Sequence, residues 1–163
     1  MDYENNIKYD AYYLIHKFNE NNKQVSNMQI QKLMYFFEAY YMNLHRDIEK
    51  LYECNFHAWA FGPVAIPLYK EFRKFGNNSI VLTEENIRLG NEISQEKKEL
   101  LDIIYKVFKD FKPMQLVGLT HMENSPWDIV WKRNGKKVGL NDDTHIDKLK
   151  TREWFKEKFE KRK

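Results

Sequence analysis

His121, with Thr120 before it and Glu123 and Ser125 after it, is the one local group in this 163-residue chain suited to acid–base or nucleophilic chemistry. The same residues have a simpler reading. His121 falls at the end of a helical stretch, where an imidazole can bond terminal carbonyls and a positive charge is favoured. Ser125 stands before Pro126 as a helix cap does. Cys54 and His57 are three apart, but no second pair at ligand spacing accompanies them, and in an extended segment they point to opposite faces. The other histidines, at 16, 45, 121 and 145, form no HExxH pattern, and Cys54 has no neighbour that would lower its pKa. The six glycines never form a GxGxxG or Walker loop. These patterns predict no metal, no cofactor and no enzyme.

Aromatic side chains remain. Eleven Phe, ten Tyr and four Trp can bury much apolar area, but Trp59, Phe61, Tyr69 and Trp127 exceed what a core of this size needs, and Tyr and Trp are favoured interface anchors. Trp59 and Phe61 alternate out of phase with the presumed inner row of their segment. With Tyr69 and Arg73 they are the candidate partner-binding residues, whereas Trp127, just after a capping proline, reads as packing. A net charge of +3, from 27 basic and 24 acidic residues, reads as mixed, solvated helix faces. The exception is the end of the chain, where Lys156, Lys158, Lys161, Arg162 and Lys163 cluster around Glu157 and Glu160. That cluster is the best case for a nucleic-acid contact, but a solvated, cationic helix end is the better reading of it. One cysteine, no signal-peptide pattern and no long apolar run predict a cytoplasmic protein without a membrane span.

The elements that must position these residues are mostly helical. Only four Pro and six Gly favour helices over a loop-rich sandwich. Ile7, Ala11, Leu14, Ile15 and Phe18 give one amphipathic helix. Ser26 and Gln29 form a capping box for the next, apolar nearly all round from Ile30 to Leu44, and so predicted to be central. From Tyr52 to Phe61 the period changes to two, which predicts an extended segment with Tyr52, Cys54, Phe56, Ala58 and Ala60 facing inward. Gly62-Pro63 predicts a turn. Pro67 opens a helix with Leu68, Phe72 and Phe75, Thr83 a weaker one, and Ser94 a stronger one lined by Leu100, Leu101, Ile104, Val107, Phe108 and Phe111. Pro113 and Ser125-Pro126 each open a short helix. Residues 134–144 read as a connector, and Ile146, Leu149, Phe155 and Phe159 line a final helix over 145–161. The prediction is one domain over 1–163 with its core at 8–132: a mainly α bundle of six to seven helices with a minor extended segment.

The chain resembles the Panacea domain, the SocA-like antitoxin domain of bacteria and their phages. The resemblance lies in residues 29–36 (QIQKLMYF), in 59–64 (WAFGPV) with Leu68-Tyr69, in Leu116 with Leu119-Thr120-His121, and in Ser125-Pro126-Trp127. It spans roughly residues 8–132. Lys112, where a small turn residue is usual, and Ala65-Ile66 between the two prolines depart from the pattern. The resemblance implies a compact helical domain without catalysis that neutralises a cognate toxin by direct protein–protein binding. It also allows an adaptor that delivers the toxin to a protease, or a DNA-binding regulator. Gln31, Lys32, Gly62, Pro63, Leu119, His121, Pro126 and Trp127 are then motif residues with structural roles.

Overall fold

The computed structural model describes residues 6–139 and 142–160. Within them the chain forms eight α-helices and one hairpin: α1 (Ile7–Glu20), α2 (Asn27–Leu44), β1 (Phe56–Trp59), β2 (Gly62–Ala65), α3 (Ile66–Phe72), α4 (Glu84–Asn91), α5 (Gln95–Phe108), α6 (Pro113–Thr120), α7 (Pro126–Arg133) and α8 (Lys148–Phe155). The fold is thus mainly α, with eight helices where the spacing suggested six or seven. Local chemistry sets many boundaries. Ser26 and Gln29 satisfy each other's backbone in a full capping box, and Ser94, Ser125 and Asp147 each accept an N–H at a helix start.

α2 is the axis of the molecule. Every residue from Ile30 to Ala39 is buried, and α2 packs against α1, α3, α5, α6, α8 and β2. Phe36, fully buried, gathers the rings of Phe108, Trp154, Phe155 and Phe159 within 6.4 Å. α4 lies against α1 through Gly90, where a Cβ would come within 2.8 Å of the Tyr13 backbone nitrogen.

Two buried carboxylates tie distant segments to this core. Asp10 accepts from the Tyr52 hydroxyl and pairs with Lys97 at 3.2 Å. Burial pushes its pKa up to about 6, Lys97 pulling the other way. Glu38 accepts the Leu51 and Tyr52 amides at 3.0 and 2.9 Å and pairs with Lys148 at 2.6 Å.

Four apolar residues expected on inner faces lie outside, Ala60 among them because it falls between the two paired strands. Leu44, at the last position of α2, is exposed. Val107 is exposed because the inner stripe of α5 runs through Leu101, Ile104, Tyr105 and Phe108. Leu149, in the first turn of α8, faces out as well. The last helix begins at Lys148, not 145, because Ile146 is held extended by its N–H to the Phe56 carbonyl and Asp147 supplies the cap. It continues as a π-helical turn over Lys156–Glu160; position 161, the predicted end, lies outside the described residues.

The extended segment is shorter than its alternation suggested, and it has a partner the pattern did not show. β1 pairs antiparallel with β2 in the register Phe56↔Ala65, His57↔Val64, Ala58↔Pro63 and Trp59↔Gly62. The turn is therefore Ala60-Phe61, and the Gly62-Pro63 pair expected to make it belongs to the returning strand. Pro63 has no N–H to give, which suits a strand in a two-stranded sheet with no third ladder on its side.

Candidate interaction site

The hairpin places the aromatic candidates. Phe61, at its tip, is 65 % exposed. Trp59, half-buried, packs edge-on against Tyr69 of α3 with ring centroids 5.0 Å apart. Its indole N–H donates to the Gly139 carbonyl at 3.0 Å, and its own carbonyl accepts the Trp127 indole N–H at 2.7 Å. Arg73, exposed, follows Tyr69 by one helical turn. The structure thus joins Trp59 and Tyr69 directly and puts Phe61 on the same hairpin. Trp59 is less free than its phase implied, because Gly139 lies against it and Thr144 and His145 against the neighbouring His57. His57, expected to face out, is buried at 6 %: its Nδ1 lies 2.7 Å from the Thr144 hydroxyl and its ring 4.7 Å from that of His145. Burial, and then His145, hold its pKa below the usual range.

Beneath the hairpin lie the motif residues. Gln31 accepts the Ala65 N–H at 2.8 Å and so fastens β2 to α2. Pro63 is buried with it, and Leu119 packs half-buried on the core. Lys32, 1 % exposed, donates to the Met28 carbonyl at 3.2 Å, and no carboxylate pairs with it among the described residues. Burial lowers its pKa to about 7. Its stem runs under Gly62. That glycine has φ +121, and a Cβ there would come within 2.8 Å of Lys32 Cε and 3.0 Å of Thr120 Oγ1.

Gly62→Ala therefore meets both backbone strain and overlap. We expect it to lower unfolding free energy by about 2–3 kcal/mol in urea titration. Combining it with Lys32→Ala should return the steric part and leave the backbone strain.

His121 is the C-cap of α6, and its ring stacks on Trp127 at 3.7 Å and 7°. Trp127 and Pro126 open α7 and are buried. His121 Nε2 is buried without a hydrogen-bond partner, so the expectation of an imidazole bonding terminal carbonyls fails at that nitrogen. Burial and the nearby Lys32 lower its pKa, so the expected favour for a positive charge is reversed. Thr120 and Ser125, the other members of the chemical group, are spent locally: Thr120 Oγ1 donates to Val117 O at 3.0 Å, and Ser125 Oγ donates to Thr120 O at 2.7 Å while capping α7. Cys54 is pushed up by burial, and among the described residues no three His, Cys, Asp or Glu side chains gather as metal ligands do. No described helix is long and apolar enough to cross a membrane. Of the basic C-terminal cluster, Lys161, Arg162 and Lys163 lie outside the described residues.

What the fold and site define is a helical domain whose central helix and α6–α7 corner hold an aromatic hairpin in one position. Residues 30–128, from α2 into the first turn of α7, match the family described as antitoxin SocA-like, Panacea domain, and the chain belongs to that family. It is similar to antitoxin SocA of Caulobacter vibrioides (strain NA1000 / CB15N), with 28% identity over 127 residues, 71% of this chain and 65% of that protein. The match thus spans just under two thirds of that relative. No solved structure matches.

Proposed function

We propose that this chain is an antitoxin that binds a toxin protein directly and neutralises it by covering the surface the toxin works with, in the cytoplasm and without turnover. Family membership supports the antitoxin role. The observation that carries the mechanism is Phe61, 65 % exposed at the tip of a hairpin clamped through Trp59 on two sides. An aromatic group held rigid before binding costs little ordering entropy on association. Tyr69 and Arg73 extend the surface, and a standard interface of about 800 Å² on each partner would take in the hairpin and α3. A role without turnover is supported by the described residues: the Thr120 hydroxyl is held by the Val117 carbonyl, Ser125 caps α7, and burial disfavours the Cys54 thiolate.

The test is co-expression with the protein encoded next to this one, reading growth and pull-down. Restored growth with a stable complex supports occlusion, and restored growth with loss of the neighbour points to delivery to a protease. Tyr69→Ala should weaken the complex roughly tenfold or more while the melting temperature stays within about 2 °C. Unchanged affinity removes Tyr69 from the interface.

A further inference from the structure

The outer face of α3 carries one sign of charge. Leu68 and Phe72 are buried in the core, and a 3-10 turn over Arg73–Phe75 continues the helix, so Tyr69, Lys70, Arg73 and Lys74 share the side turned to solvent. Trp59, packed on Tyr69, sets this face beside the hairpin and its exposed Phe61. Between Ala60 and Leu82 the chain has three cations, Lys70, Arg73 and Lys74, all exposed, and one acid, Glu71. The Glu71 carboxylate already accepts the Tyr12 hydroxyl, whereas among the described residues no carboxylate pairs with the three cations.

The elements packed on α3 do not supply the missing counter-charge. β2 has no ionisable side chain, and Glu38, the one acid of α2, is held by Lys148. α1 brings another cation, Lys8, one turn before Tyr12, and its two acids stand apart. Asp10 is buried against Lys97, and Glu20 lies two turns beyond Tyr12, about 12 Å along the helix, where it meets His16. A helix end favours cations, but Lys70 stands three and four positions before Arg73 and Lys74, the spacings at which like charges repel. We infer, on the antitoxin reading above, that this face takes an acidic patch of the toxin, with Phe61 and Tyr69 as its apolar centre and Lys70, Arg73 and Lys74 as a cationic rim. A toxin whose working surface is itself cationic, as a cleft built for nucleic acid is, would meet like charge here. A nucleic-acid ligand fits less well, because salt-sensitive duplex binding draws on about 6–10 phosphate contacts and this face offers three cations.

The test is surface plasmon resonance between the full chain and the protein encoded next to it, at about 50 and 300 mM salt. The association rate should fall about tenfold or more across that range, and by a similar factor in Lys70→Glu/Arg73→Glu at the lower salt. Lys106→Glu/Lys109→Glu makes the same change of net charge at exposed positions on the end of α5 and should keep most of the rate. Lys70→Gln/Arg73→Gln, which removes charge without reversing it, should lose less in the same direction. A complex that restores growth yet forms at a rate that is indifferent to salt or rises with it overturns the acidic patch and leaves the antitoxin reading standing. Equal losses in the α3 and α5 variants do the same, since the effect is then one of net charge alone. No complex at either salt sinks the antitoxin reading, and this inference with it. Binding of duplex or single-stranded DNA that Lys70→Glu/Arg73→Glu abolishes, with the toxin complex untouched, assigns the face to nucleic acid and overturns the inference as well.

Discussion

Trp127→Ala is expected to lower the unfolding free energy by about 3–5 kcal/mol and the melting temperature by about 10 °C. Three losses coincide. The indole is 5 % exposed, so its removal opens a cavity at the α6–α7 corner. The stack on His121, at 3.7 Å, disappears and leaves the ring, whose Nε2 has no hydrogen-bond partner, without its cover. The hydrogen bond to the Trp59 carbonyl goes too, and with it one side of the hairpin clamp. Trp127→Phe separates these effects: it keeps most of the ring packing, drops the N–H, and should cost only about 1–2 kcal/mol. Differential scanning calorimetry of the three proteins checks both figures. Equal losses in the two variants would show that the hydrogen bond, not the packing, holds the corner.

Lys32→Met should act in the opposite direction. A buried ammonium without a carboxylate is costly, and Lys32 meets only the Met28 carbonyl. The folded state binds this proton with a pKa of about 7, against 10.5 for the ordinary lysine. Between those values the unfolded chain carries more protons than the folded one, so this residue makes stability rise as pH increases through the window and leaves it lowest below about 7. Methionine keeps the stem and removes the charge. The variant should be more stable than the parent by about 2–4 kcal/mol at neutral pH, and the gap should narrow toward pH about 9. Urea titrations of both proteins at several pH values test this. A gap that does not change with pH would mean that Lys32 is not charged-destabilised in the fold, whatever its effect on packing.

The helix starts were the most legible part of this fold, because a cap is chemistry between residues three or four apart. Ser26 with Gln29, Ser94, and Ser125 with Pro126 all open helices where their spacing says they should. The burial of α2 was legible for a different reason: its apolar residues leave no polar face to turn to water. The hairpin was harder. Ala60-Phe61 carries none of the Gly, Asn or Asp signals of a two-residue turn, and the adjacent Gly62-Pro63 drew the turn to itself. His57 could not be placed from its neighbours, since what buries it is a threonine 87 positions later. Lys32 was legible as a motif residue, but its isolation depends on the hairpin closing over it.

The central helix also sets a schedule for synthesis. Glu38 and Lys148 are 110 residues apart, and Tyr35 reaches the Thr151 hydroxyl across 116. Phe36 finds Trp154, Phe155 and Phe159 only from the last stretch of the chain. At a translation rate of about 5–20 residues per second, the nascent chain carries this helix for several seconds before its cover has been made. Throughout that interval the side of α2 that α8 covers is open to chaperones and proteases, and ribosome stalling between α2 and α8 would prolong the exposure.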